Sequence, residues 1–121
     1  VRTIIVPSQE ASKRHRAAIE QKLQRLHMAP QIRVITELNP LIVGWSTYYT
    51  GIVDAPILHH YDDLMEQQLL KWASKRHPGK PQNWLLALYW HQGKNSRIFV
   101  TPDGKQLRRY QHTKILNGAL F

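Results

Sequence analysis

Residues 38–49 read LNPLIVGWSTYY, and the local structure of this stretch decides how the rest of the chain is organised. Asn39 followed by Pro40 suits a helix start, with Asn as the cap and Pro in the first turn, where its missing N–H costs nothing. From there Leu41, Trp45, Tyr48 and Tyr49 recur at i, i+4, i+7 and i+8, a one-sided apolar face. Gly44 opposes that face. A mid-helix Gly costs about 1 kcal/mol against Ala, so close approach of another backbone is the expected reason for it.

Working outward toward the N-terminus, QIRVITELN (31–39) has no single reading. Its β-branched residues favour a strand, yet Ile32, Ile35 and Leu38 are also helix-spaced. Before Pro30, Ser8 is a good N-cap for QEASKRHRAAIEQKLQRLHM, and Glu10 suits the positive end of the helix dipole. Ala11, Ala18, Ile19, Leu23 and Leu26 share one side of that helix; Lys13, Arg16 and Glu20 face away, with Arg14 and Arg25 flanking the stripe. The stripe is narrow, which suits a helix at the edge of the core. VRTIIVP (1–7) reads as an extended lead-in.

Working toward the C-terminus, Asp54 and Pro56 suit the start of a long helix that runs to about His77, where HPGKP stops it. Ile57, Tyr61, Leu64, Met65, Gln68 and Trp72 form its expected buried side. PQNWLLALYW (81–90) reads as a short apolar fourth helix. After Gly93, RIFVTPDGKQLRRY has a β-rich run, a Pro-Asp-Gly turn and a second run able to pair back. The expected fold is mainly α: a small helical bundle over 8–92, with a C-terminal hairpin or extended tail over 93–121.

Composition bounds the function. The chain has 121 residues, no cysteine, and seventeen Lys/Arg against eight Asp/Glu, a net charge of +9 with seven histidines besides. One modest core is expected at this length. Disulfides and thiolate metal sites are excluded. No apolar run approaches the ~18 residues of a membrane span. Excess positive charge of this size favours a polyanionic partner. The basic residues are scattered over several segments, unlike one membrane-surface helix. The chain begins with Val, and the expectation is a piece of something longer.

Catalytic material is sparse. The stretch HHYDD (59–63) holds the closest acidic pair, Asp62 and Asp63. On a helix His59 and Asp63 are i, i+4 neighbours and face solvent, Tyr61 and Leu64 face the core, and Asp62 lies on the boundary. A zinc site needs three or four ligands, and no HExxH or paired-His motif supplies the rest. A polymerase's paired aspartates sit on a tight hairpin, whereas this pattern is helical. No nucleophile elbow, phosphate loop or dinucleotide fingerprint occurs. His77 before Pro78 suits a helix-end cap or a phosphate contact. No enzyme activity, catalytic residue, metal or cofactor is expected of this chain by itself.

Three ordered motifs carry more: LNPLIVGWSTYY (38–49), WASKRHPGK (72–80) and NWLLALYW (83–90). Together they resemble the maturase-specific region, or domain X, of group II intron-encoded reverse transcriptases. The resemblance runs through Leu38, Asn39, Pro40, Gly44, Trp45, Tyr48 and Tyr49, then Trp72, Ala73, Lys75, Arg76, His77 and Pro78, then Trp84, Tyr89 and Trp90. It covers roughly residues 4–92. It implies a helical, thumb-like domain that binds intron RNA to assist splicing. It also implies support for reverse transcription and retrohoming beside upstream reverse-transcriptase domains of the same polypeptide, which would hold the catalytic aspartates. Target DNA is a further implied partner, and a prokaryotic cytoplasm the implied location, with an organelle as the alternative.

The residues fit that role on their own chemistry. Structured RNA is read mostly by shape and phosphates. Lys75, Arg76, His77 and Lys80 cluster where the long helix ends, with Lys71 one turn earlier; Arg14, Arg25, Arg108 and Arg109 are further candidates. Helix-periodic spacing assigns Trp45, Tyr48 and Trp72 to core packing rather than base stacking, and leaves Tyr49, Trp84 and Trp90 open. Departures from the family pattern remove phosphate contacts: Val43 stands where Arg is common, Ser74 at a basic position, and LLAL (85–88) where Lys residues are frequent. That apolar segment suits contact with another part of the parent protein or with a second copy in a homodimer. Two other readings stand beside this one. One is a helical protein–protein module whose charge gives solubility; the other is a DNA-processing piece.

Overall fold

In the computed structural model the described residues are 8–49, 55–93 and 97–110. The lead-in 1–7, the proposed cap Asp54 and the tail 111–121 lie outside them, as do the side chains of Tyr48 and Tyr49. Four helices and one small antiparallel ribbon follow in chain order: α1 (Gln9–Arg25), α2 (Gln31–Tyr49), α3 (Ala55–Arg76), α4 (Gln82–Tyr89), β1 (Trp90–Gln92) and β2 (Arg97–Phe99). The fold is mainly α, as the periodicities imply.

The start of α1 follows the sequence closely. Ser8 is extended, and its hydroxyl accepts the Ala11 N–H at 3.0 Å. Ile19, Leu23 and Leu26 are buried while Lys13, Arg14, Arg16, Glu20 and Arg25 are exposed.

The reading of Asn39 and Pro40 as a helix start is overturned. α2 begins at Gln31 and runs through Pro40 without a break. The ambiguous QIRVITELN is therefore helix, because Val34, Ile35 and Leu38 continue into Ile42 and Ser46 as one buried stripe. Pro40 is tolerated because the carbonyl it deprives of a partner belongs to Thr36, which is exposed and open to water. The expected face of Leu41 and Trp45 is only half-buried, rotated off the true stripe. Gly44 meets no close backbone among the described residues either: a Cβ built there has none of their atoms within 4 Å.

Asn39 has a different task. Its side chain accepts the Arg108 N–H at 2.7 Å and donates to the Gln106 carbonyl at 3.3 Å. A mid-helix amide thus holds an extended segment that has no regular strand beside it there.

α1 and α2 are antiparallel, joined by a short turn and tied by Lys22 to Glu37 at 3.1 Å. α1 and α3 run in the same direction. At one end Ser12 and Tyr61 share a hydroxyl contact; at the other the Trp72 indole donates to the Leu26 carbonyl at 2.9 Å. In α3 the deepest positions are Leu58, Tyr61, Met65, Leu69, Trp72 and Ala73. Ile57, Leu64 and Gln68, expected inside, are half-buried, because the stripe is centred one position further round. α4 folds back so that Tyr89 packs on Trp72 with ring centres 5.1 Å apart and its carbonyl accepts from Gln31 at 2.8 Å.

Trp90, expected to end the fourth helix, instead opens β1, whose residues pair with β2 in the register Trp90–Phe99 and Gln92–Arg97. The expected pairing across the Pro-Asp-Gly turn is present in reduced form. It consists of a bridge between Val100 and Gln106, Thr101 and Lys105 joined at 2.8 Å, and Leu107 bonded to Phe99 at 3.0 Å. From there the segment crosses the bundle to Tyr110. That side chain is buried against His15, Trp45 and Tyr61, with ring centres 5.5–5.6 Å away.

Candidate nucleic-acid interface

The last two turns of α3 bring the basic residues of WASKRHPGK to one end of the bundle. Trp72 and Ala73 turn inward and anchor the helix there. Lys71 and Lys75, one turn apart on the same face, are exposed. Arg76 lies over the Trp72 ring at 5.8 Å and donates to the His27 carbonyl at 3.3 Å, so it is held rather than free to swing. The His27 ring in turn approaches the Lys75 carbonyl at 3.3 Å. These contacts join the end of α1 to the end of α3.

Past Arg76 the backbone turns through Pro78 and Gly79. Gly79 has φ of +82°, a conformation that a side chain disfavours. The turn returns Lys80 toward α4, where its ammonium sits 5.1 Å from the centre of the Trp84 ring. His77 occupies the corner. Its Nε2 lies 2.6 Å from the Tyr89 hydroxyl, and its ring meets Trp84 edge-on at 5.0 Å. His77 is thus part of the packing between α3 and α4. Trp84 is 38% exposed, whereas Trp72 is 3% exposed, which separates a surface aromatic from a core one. Periodicity assigns Trp72 to the core but leaves Trp84 open, because the eight residues of α4 are too few to define a stripe.

Between α1 and α3 lies a groove of about 370 Å³. Leu23 and Trp72 form its buried floor; Gln24, His27, Gln68, Lys71, Lys75 and Glu20 complete its lining. Sequence reading missed Gln24 and His27 as partners of the lysines. Nothing in the linear pattern says which polar residues flanking an apolar stripe will face a neighbouring helix.

The other basic candidates are not gathered here. Arg14 projects from the opposite end of α1. Arg25 is exposed two residues before His27. Arg109 lies 3.9 Å from the Asp62 carboxylate, and the Arg108 backbone is bound by Asn39. Asp62 and Arg76 are about 20 Å apart along α3 at the usual helical rise, so Arg108 and Arg109 belong to a different region of the surface.

Asp62 is buried, not at the boundary, and its carboxylate accepts the Tyr110 N–H at 2.8 Å. Asp63 and His59 are exposed, as their phase implies. Among the described residues no group of three or more His, Cys, Asp or Glu is placed to hold a metal ion, and no helix is long and apolar enough to cross a membrane.

A family model described as the group II intron maturase-specific domain matches residues 12–90. The chain belongs to that family. A search of curated proteins finds no match. The domain is therefore one of group II intron proteins, which gives it a splicing-related role. The matched span of this maturase-specific domain ends on the first residue of β1, and includes both the α3–α4 corner and the groove.

Its motif residues divide by position. Trp72, Tyr89 and Trp90 are buried, Trp45 is half-buried against Tyr61 at 4.3 Å, and Trp84 is exposed. In LLAL, Leu85 is buried and Leu86 packs on the core, so Leu88 and Trp84 are what α4 leaves as apolar surface.

Proposed function

We propose that this maturase domain grips group II intron RNA through the end of the bundle where α3 meets α1 and α4, assisting the splicing fold of the intron. The observation that carries this reading is the run of cations at the end of α3: Lys71 and Lys75 exposed beside the α1–α3 groove, Arg76 over Trp72, and Lys80 over the exposed Trp84 just past the turn. The cations supply phosphate contacts, which dominate affinity for a folded RNA. Trp84, exposed and with a lysine over its ring, offers a surface on which an unpaired base can stack.

In a longer polypeptide the same grip would support reverse transcription and retrohoming beside upstream reverse-transcriptase domains, with target DNA as a further ligand. The apolar surface of Leu88 and Ile32 suits contact with such domains or with a second copy of the chain. The setting that goes with this reading is a prokaryotic cytoplasm or an organelle.

A band-shift titration of the purified chain with a group II intron RNA, run beside sedimentation, tests it. A shifted complex containing one protein that survives moderate salt is expected. A stable oligomer with no RNA shift would favour a protein–protein module instead.

A further inference from the structure

The groove between α1 and α3 has a chemistry that a phosphate-reading surface does not need. A duplex is met mostly through its phosphates and 2′-hydroxyls, because its base faces are stacked inside and its major groove is too narrow for side chains. Here the lysines stand beside a concavity with an apolar floor of Leu23 and Trp72. Its volume of about 370 Å³ lies in the range, about 300–1,000 Å³, that encloses small ligands. Two amides, Gln24 and Gln68, line it from the two facing helices. Each amide carries donors and an acceptor, the combination that matches a base edge. The Glu20 carboxylate adds an acceptor for an exocyclic amine or a ribose hydroxyl.

We propose that this groove takes one unstacked nucleobase of the bound RNA, read by Gln24 and Gln68, with the neighbouring phosphates on Lys71 and Lys75. The inference rests on the RNA-binding reading and adds to it a base-selective element at a defined place. Charge complementarity selects this occupant. The lining carries two lysines against one carboxylate, on a chain of net charge +9. An apolar or acidic peptide segment would use the floor or the lysines but not the paired amides.

The test compares three RNA hairpins that differ at one position: fully paired, carrying one bulged adenosine, and carrying an abasic bulge at the same place. The wild-type chain is expected to bind the adenosine bulge about tenfold more tightly than the abasic one. The Gln24→Leu/Gln68→Leu variant is expected to lose that preference while binding the fully paired hairpin as the wild type does. Both substituted side chains lie outside the buried core, and matching thermal melts of the two proteins would verify that the fold is kept. Equal wild-type affinity for the adenosine and abasic bulges, with the paired hairpin still bound, overturns the groove assignment alone. A preference that survives in the variant overturns the role of the amides. Absence of binding to all three hairpins overturns the RNA-binding reading, and this inference with it.

Discussion

Tyr110 donates its backbone N–H to the Asp62 carboxylate at 2.8 Å, and so the first aspartate of HHYDD holds the C-terminal segment onto α3. The pair that most resembles catalytic material in the sequence divides into a buried anchor and an exposed neighbour. Asp62 is 8% exposed and has Arg109 beside it; Asp63 faces water.

Asp62→Ala leaves the Tyr110 N–H without this acceptor in a buried place, which costs about 1–3 kcal/mol. Asp63→Ala is expected to change stability by no more than about 0.5 kcal/mol. Urea denaturation of the two variants checks the contrast. Equal, small effects would contradict the anchoring role.

Stability should depend on pH through His15. Burial pushes its imidazole down to about 4, from an ordinary value of 6.5, where it stacks on Trp45 and meets the Tyr110 hydroxyl at 2.5 Å. Between these values the unfolded chain binds the proton and the folded chain does not, so stability rises with pH across that window and is lost as pH falls through it. Glu37, held low by its hydrogen bonds to Arg33 and Lys22, contributes stability that is lost only at lower pH, below its ordinary 4.5. Thermal melts from about pH 7 to about pH 5 should therefore fall in the wild type and fall less steeply in His15→Gln. Parallel curves would contradict the assignment.

Gly44→Ala should stabilise the chain by about 1 kcal/mol, because a Cβ at that helical position meets no atom of the described residues within 4 Å. A rise in melting temperature of a few degrees is the expected reading. A fall would mean that some contact there requires glycine.

The two tryptophans of the α3–α4 region should respond differently. Trp72→Ala opens a cavity beneath the basic cluster and is expected to cost about 3–5 kcal/mol of stability. Trp84→Ala should cost much less stability while weakening RNA binding by about 1–3 kcal/mol. Denaturation and binding measured on the same samples separate these outcomes.

Much of this architecture is legible in the sequence where one signal acts alone. Ser8 caps α1 because a hydroxyl before a periodic run has little else to do, and the end of α3 is written in HPGK. The reading failed where a side chain serves a distant segment. Asn39 followed by Pro40 looks like a cap, but the amide is committed to Gln106 and Arg108, far along the chain. Asp62 looked marginal because its partner at Tyr110 lies beyond any local window. Trp90 was assigned to a helix because its strand partner, Phe99, begins to matter only once the chain has turned back. The basic residues of WASKRHPGK stand together in the sequence itself. The groove beside them is not legible there, because it exists only between two helices.

If the end of α3 contacts RNA phosphates, affinity for RNA depends steeply on salt. With about five phosphates neutralised, log affinity for intron RNA should fall against log salt with a slope near −4. In the Lys75→Ala/Arg76→Ala/Lys80→Ala variant, binding should weaken and the slope should flatten by about 2 to 3. Equal affinity and equal slope in wild type and variant would contradict the account.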